Sequence, residues 1–453
     1  MSEPSPPPTG AAPEADVPEA EAPAPRKRDL LRVFKVLGPG LITGAADDDP
    51  SGIATYSQAG AQFGFGQLWT ALYQIPLLLA VQEACGRIGL VTGKGLAGVI
   101  RDHYSRRILT GVVLLVVVAN TINIGADIGA VAEASALVVD APIWLLAVLT
   151  AGTVLLLEVF VSYRIYARYL KWLALALLAY PATALIIHQP WQEILRATLA
   201  PHIEFTFAFL FLITGVFGTS ISPYMFFWQA SQEVEEQIAQ ATPRDAGGRP
   251  LASRQRIADM RLDTTIGMLA AELAQWFIII TTASVLFRHG VHNIDTAADA
   301  ARALEPLVQS FPNAGQLART LFAVGIVGLG LLAIPVLAGS AAYALSEALN
   351  WKEGLYRKLG DALGFYGVIA AATLVGLGLN FVGANPIKAL VFTAVFNGVA
   401  AVPLLYLIAR INGDKAILGE NRGGLLSRSF VWLTFGVMAV SGVALLFTSL
   451  APR

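Results

Sequence analysis

The sequence predicts an all-α, polytopic membrane protein of about eleven transmembrane helices, the first and sixth of them broken. Three observations carry this. The 453 residues are 55% hydrophobic and only 14% charged, with a mean hydropathy of +0.61, whereas a soluble protein is about 25% charged. Apolar runs of about 17–25 residues, long enough to span a bilayer, recur from end to end. Two of those runs, five apart, carry a proline beside polar or small residues in mid-span.

In chain order, residues 1–28 are rich in Pro, Ala and Glu and end in Arg26-Lys27-Arg28. Such a segment buries too little apolar surface to offset its ordering entropy, so a disordered cytoplasmic tail is expected. It lacks the short apolar core of a secretory signal. Residues 29–453 read as one transmembrane domain. Its spans fall near 36–62, 67–88, 108–139, 142–160, 169–188, 205–232, 264–287, 320–349, 365–383, 387–409 and 429–450. The lone Cys85 excludes an intramolecular disulfide and a cysteine-rich metal site, and reads as a small buried apolar residue.

The first span holds Gly44-Ala45-Ala46-Asp47-Asp48-Asp49-Pro50-Ser51-Gly52. A charge at the bilayer centre costs about 2.5–3.5 kcal/mol on insertion scales, so such residues normally face a cavity. Pro50 lacks an N–H and biases Asp49 away from helical geometry, while Asp49 is a good N-cap for a helix starting at Pro50. Two half-helices meeting at Asp49 are therefore expected, with the freed carbonyls of Ala45 and Ala46 beside the carboxylate. Carbonyl and carboxylate oxygens together suit a hard cation. The alternative is a helix starting at Pro50 with the aspartates in an aqueous loop. The sixth span contains Gly215-Val216-Phe217-Gly218-Thr219-Ser220-Ile221-Ser222-Pro223-Tyr224. Its proline pairs with the break at Asp49, as inverted repeats of five helices would give, with the substrate site at the paired breaks. Repeat one is expected over about 29–190 and repeat two over about 205–411, with 429–450 as an extra helix.

Basic residues set the orientation. With the N-terminus inside, the cytoplasmic segments hold Arg26, Lys27, Arg28, Arg32, Lys35, Arg87, Lys94, Arg101, Arg106 and Arg107. Arg164, Arg168, Lys171, Arg244, Arg249, Arg254, Arg256, Arg261, Lys352, Arg357, Lys358, Arg410, Lys415, Arg422 and Arg428 fall on the same side. The N-terminus is thus expected in the cytoplasm and the C-terminus outside, with 288–319 as the main external loop.

Other polar groups lie at membrane depth. Asn120, Asn123 and Asp127 share one face of the third span, either as a polar cavity wall or as interhelical hydrogen-bonding groups. Glu272, beside Gln275, reads as a cavity carboxylate behind the direct metal ligands, or as a neutral glutamate hydrogen-bonded between helices. Asn385-Pro386 reads as a helix start. Asn397 either reaches the site or is a structural amide. Glu158 reads as a solvated or paired charge near a span end, and Glu233, Glu235 and Glu236 as a solvated face, with Glu233 alternatively lining the inner exit. His289 and His292 sit in the external loop, and no histidine pair has metal-binding spacing at a helix, so a transition-metal enzyme site is not expected. Nor does the chain carry G-x-S-x-G, H-E-x-x-H or a phosphate loop, so it reads as no enzyme.

Gly38-Pro39-Gly40, Asp49-Pro50, Gln58-Ala59-Gly60 and Leu68-Trp69 resemble the first helix and its sequel in the Nramp family of divalent-metal transporters. The resemblance implies the LeuT-type 5+5 inverted-repeat fold and transport of Mn²⁺ or Fe²⁺ with protons. The chain departs from it at the site. The family's Asp-Pro-Gly-Asn is here Asp49-Pro50-Ser51-Gly52, and its Met-Pro-His is Ser222-Pro223-Tyr224. Loss of the thioether removes the soft ligand that suits Mn, Fe and Cd, and Tyr224 does not titrate near neutral pH as histidine does. The family's acidic pair in the third helix falls on Asn123 and Ala126.

Together these changes resemble the Nramp-related magnesium transporter branch, which implies Mg²⁺ uptake without proton coupling, with Mn²⁺ as a second substrate. Asp49 with the carbonyls of Ala46 and Thr219 would then form the inner shell or hold the hydrate. Small residues Gly52 and Ser222 would leave room for retained waters, and Asp48 and Glu272 would lie close by. Asn123, Asp127, Tyr224 and Asn397 would line the cavity. The metal is substrate and no cofactor is expected. The expected partners are the divalent cation and the lipid bilayer, with no nucleic acid. The expected location is the cytoplasmic (inner) membrane of a prokaryote. Two alternatives remain: a proton-coupled Mn²⁺/Fe²⁺ symporter using Asp127 or Glu272, and a LeuT-type amino-acid permease, against which three aspartates at the break argue.

Overall fold

A computed structural model describes residues 39–161, 173–245, 248–383 and 385–450. The expected tail 1–28, Gly38, the basic residues Arg32, Lys35, Arg164, Arg168 and Lys171, and the start of the fifth span lie outside the described residues.

Two interrupted spans shape the fold, and both breaks come from local chemistry. The first runs as α1 (Pro39–Asp47) and α2 (Pro50–Phe63). Asp49 sits between them with extended backbone, φ −60° and ψ 171°, and caps α2 by accepting the Gly52 N–H. Pro50 takes the first helical position, where its missing N–H has no partner to lose. The sixth span repeats the device: α9 (Phe207–Ser220) ends and α10 (Pro223–Ala239) begins, with Ser222 extended and Pro223 in the first turn. Between the two lie α3 (Trp69–Thr92), α4 (Leu96–His103), α5 (Arg106–Ala136), α6 (Ile143–Phe160), α7 (Ala179–Ile186) and α8 (Trp191–Leu199). After them come α11 (Arg254–Val285), α12 (Ala314–Leu349), α13 (Leu363–Leu379), α14 (Pro386–Gly413) and α15 (Leu425–Leu450).

All eleven expected spans have a helical counterpart among the described residues, the fifth only over its later part. The seventh starts earlier than expected, because Ser253 caps a polar stretch beginning at Arg254. Asn385 starts α14 as the sequence suggests, accepting the Lys388 N–H with Pro386 next. The connection 288–319 is not a bare loop. It holds short helices at Ala297–Ala301 and Glu305–Val308, and is tied to α2 through Gln58 and to α5 through Glu133.

α1 and α2 lie against α11, α9 against α14 and α10 against α3, and the long α5 and α12 pack on each other. Backbones approach closely at small residues, as expected in lipid, where packing rather than the hydrophobic effect drives association. A Cβ on Gly218 of α9 would lie 2.1 Å from the Ala394 carbonyl oxygen of α14.

Three surface assignments from the sequence fail. Glu158 is 4% exposed with no hydrogen-bond partner on either carboxylate oxygen, because α6 turns that face onto α5 and α13. Glu233 is buried and accepts a hydrogen bond from Gln229, since α10 is enclosed rather than solvated. Glu235 accepts from the Tyr343 hydroxyl and from the Leu355 N–H.

Candidate functional site

The two breaks face each other. Asp47, Asp48 and Asp49 are only 1%, 4% and 1% exposed, so the aqueous-loop reading fails although its helix cap at Asp49 is present. Oδ1 of Asp49 accepts from the Ser51 hydroxyl at 2.6 Å and the Gly52 N–H at 2.7 Å. Oδ2 turns the other way and accepts from Asn123 Nδ2 of α5 at 3.3 Å. One carboxylate oxygen thus holds the local fold, while the other faces the centre.

From the opposite break comes Tyr224, the second residue of α10. Its hydroxyl donates to the Ala46 carbonyl at 3.0 Å and lies 3.5 Å from Asp49 Oδ2. The Ala46 carbonyl is therefore freed at the break as expected, but Tyr224 bridges the breaks rather than simply lining a wall. Ser222 is fully buried with an unpartnered hydroxyl, so its oxygen is available to a ligand. Thr219 lies in the last turn of α9, where carbonyls lack helical partners and the dipole is negative. Its side chain is engaged with the Tyr56 hydroxyl at 2.7 Å.

Gly52 does not open space. A Cβ there would meet the Asp47 carbonyl at 3.1 Å and the Tyr56 ring at 3.3 Å. The room expected at Gly52 is filled because the turn around Asp49 folds back on itself.

Further carboxylates surround this centre. Asp47, Asp127 and Glu272 are buried with no hydrogen-bond partner on either oxygen, and Asp48 has none on Oδ1. Glu272 is thus not the hydrogen-bonded interhelical glutamate of the alternative reading. It interacts electrostatically with Asp47 and Asp48, and Asp127 with Asp49. Among the described residues no three His, Cys, Asp or Glu side chains group closely enough to hold a metal on their own. Asp49 therefore does not form a closed carboxylate cage with Asp48 and Glu272. Asn397 of α14 is buried with Oδ1 unpartnered, and Asn120 donates to the Leu337 carbonyl at 2.9 Å, which makes it an interhelical link.

Polar bridges flank the centre on both sides. Toward α2 and α9, Tyr56 contacts Thr219 and Ser220, and Gln275 contacts Ser220, Thr70 and Gln74. Toward α1, Thr43 donates to Gln229 at 2.8 Å and the Gly40 N–H to Asp263 at 2.7 Å. Tyr56 and Gln229 went unnoticed in the sequence. Their only signal is a polar group inside an apolar run.

An all-helical membrane protein with two broken spans meeting at buried oxygen groups belongs to the class of inverted-repeat membrane transporters. The chain is a member of the Nramp family: residues 40–448 match Natural resistance-associated macrophage protein-like. It is similar to the divalent metal cation transporter MntH of Ralstonia nicotianae, 25% identical over 93% of this chain and 92% of that protein. In fold it is similar to the Eremococcus coleocola manganese transporter, TM-score 0.74 and 17% identity, over 94% of this chain and 88% of that one. It is also similar to Mhp1, a nucleobase-cation-symport-1 family transporter, TM-score 0.54 and 15% identity, over 91% of each. These two likenesses establish the LeuT-type architecture.

Proposed function

We propose that this chain carries divalent metal cations across the cytoplasmic membrane, Mg²⁺ first and Mn²⁺ with it, by alternating access without proton coupling. One observation carries the reading: the Asp49 carboxylate and Ala46 carbonyl are buried at the first break, both within reach of one hydroxyl from the facing break. Asp49, Ala46, Ser222 and the Thr219 carbonyl give oxygen donors only. Oxygen donors suit Mg²⁺, which keeps several waters and takes one or two carboxylates. Asp48 and Glu272 add negative charge beside them. Asn123, Asp127, Tyr224 and Asn397 line the path. A potential of 100 mV contributes about 4.6 kcal/mol to a divalent ion, enough to drive uptake without protons. Residues 29–190 and 205–411 form the two repeats and 429–450 stands outside them, with the N-terminus cytoplasmic and the C-terminus external.

A second reading, proton-coupled Mn²⁺ symport, draws on the unpartnered carboxylates of Asp127 and Glu272 and on the manganese and divalent-metal transporters this chain resembles. Purified protein in liposomes, at clamped pH and voltage, separates the two. The first reading expects Mg²⁺ uptake that Asp49→Ala abolishes, with no lumenal acidification. Mn²⁺ uptake with acidification and no Mg²⁺ movement overturns it.

A further inference from the structure

Tyr224 stands where the cation must go. Its hydroxyl donates to the Ala46 carbonyl at 3.0 Å and lies 3.5 Å from Asp49 Oδ2, so one proton faces two of the oxygens assigned to the metal. A divalent cation binds such oxygens at about 2.0–2.6 Å, which leaves no place between them for a donated proton. The phenol and the ion therefore compete for the same acceptors. The tyrosine is also held from behind, because the Ser340 hydroxyl of α12 is shared between the Val336 carbonyl at 2.6 Å and the Tyr224 carbonyl at 2.9 Å. Its backbone is thus anchored to a third element while its ring reaches across to α1. Tyr224 itself is 1% exposed, so its hydroxyl has no ready exchange with bulk water.

We propose that Tyr224 is an affinity-setting latch. Its hydroxyl takes up the same oxygens that a cation would bind, ties the sixth-span break to the first, and must release Ala46 and Asp49 before a metal binds there. This deepens the transport reading and rests on it. The latch weakens binding of every divalent ion by the strength of its own hydrogen bonds, and so keeps the site from holding its cargo too tightly to release it.

The test is Tyr224→Phe in the full chain, with Mg²⁺ and Mn²⁺ as probes, by calorimetry on purified protein and by uptake into liposomes. A buried hydrogen bond contributes about 0.5–1.5 kcal/mol net, so the variant is expected to bind both ions about two- to ten-fold more tightly. KM should fall in step, without a matching rise in maximal rate. Tyr56→Phe is the comparison: it removes an equally buried hydroxyl that bonds the side-chain hydroxyls of Thr219 and Ser220 and touches neither the Ala46 carbonyl nor the Asp49 carboxylate, and should not tighten binding. Unchanged or weaker binding by Tyr224→Phe overturns the latch, the weaker case showing that the phenol oxygen is itself a ligand. Equal tightening by Tyr56→Phe also overturns it, as general loosening. Wild-type protein that binds neither ion overturns the transport reading and the latch with it, whereas wild-type binding that Tyr224→Phe leaves unchanged overturns the latch alone.

Discussion

Gly44 of α1 lies so close to Gly267 of α11 that a Cβ on Gly44 would stand 2.3 Å from the Gly267 carbonyl oxygen. The contact is backbone to backbone, so no side-chain rotation relieves it. It sets the position of α1, and hence of the three aspartates that follow. Gly44→Ala should force the helices apart and destabilise the protein by about 1–3 kcal/mol, the usual range for overpacking. Gly111→Ala is the control, because nothing lies within 4 Å of its added Cβ. Thermal unfolding in detergent should show a lower Tm for Gly44→Ala, and an unchanged or slightly higher one for Gly111→Ala. Equal melting of Gly44→Ala and wild type would refute the seam.

Asp49 has two tasks that substitution can separate. Oδ1 caps α2 through Ser51 and Gly52, while Oδ2 faces Asn123 and Tyr224. Asp49→Asn keeps an acceptor for the cap and removes the charge, so divalent-cation uptake should be lost with little change in Tm. Asp49→Ala should lose uptake and also about 1 kcal/mol of stability from the missing cap. If Asp49→Asn transports like wild type, the carboxylate charge is not what binds the cation.

How the site could be read in advance depends on the range of each interaction. The first break was legible because its causes are local: the missing N–H of Pro50 and the capping oxygen of Asp49 act within three residues. The pairing with Pro223 followed from counting spans. Side-chain partners across helices were not legible, since a membrane helix that is apolar nearly all round carries little phase to say which face meets which neighbour. That is why Glu158 reads as a solvated or paired charge, yet lies buried and unpartnered on the face of α6 that meets α5 and α13. It is also why Tyr224 was read as lining, and its reach to Ala46 appeared only with the fold. At Gly52, residue size suggested room, but the backbone of Asp47 takes it. The eight-residue α4 is too short to register as a span, and its start at Gly95 is fixed by Glu347, a residue remote in sequence, whose carboxylate accepts the Gly98 N–H at 2.8 Å.

The departures from the family pattern can be reversed one at a time. Ser222 has a buried, unpartnered hydroxyl at the second break, so Ser222→Met places a thioether there. Soft ligands favour Cd²⁺, and the variant should bind Cd²⁺ at least about ten-fold more tightly while losing Mg²⁺ affinity. Competition of Cd²⁺ against Mn²⁺ uptake measures this, and no gain in Cd²⁺ competition would place Ser222 outside the ligand set. Gly52→Asn should behave differently. Its Cβ would press on the Asp47 carbonyl at 3.1 Å and on the Tyr56 ring at 3.3 Å, so it should lower Tm without adding metal affinity by itself.

One pH dependence follows from a carboxyl beyond the spans. Glu353, in the turn after α12, is pushed up to about 9 by burial, with the Glu347 carboxylate beside it adding to the effect and Arg101 opposing it. Glu235 and Arg357 also face it, one raising and one lowering its affinity for the proton. Its Oε2 is buried without a hydrogen-bond partner, which is tolerable for a neutral carboxyl and costly for an anion. Between the ordinary value of 4.5 and about 9 the folded chain keeps a proton that the unfolded chain has lost. Folding is therefore most favoured below that window, and stability falls as pH rises through it. Glu353→Gln keeps the shape and removes the titration, so its Tm should decline less steeply than that of wild type from pH 5 to 9. Parallel Tm profiles for the two proteins would show that Glu353 is ionised in the fold and that the turn after α12 admits water.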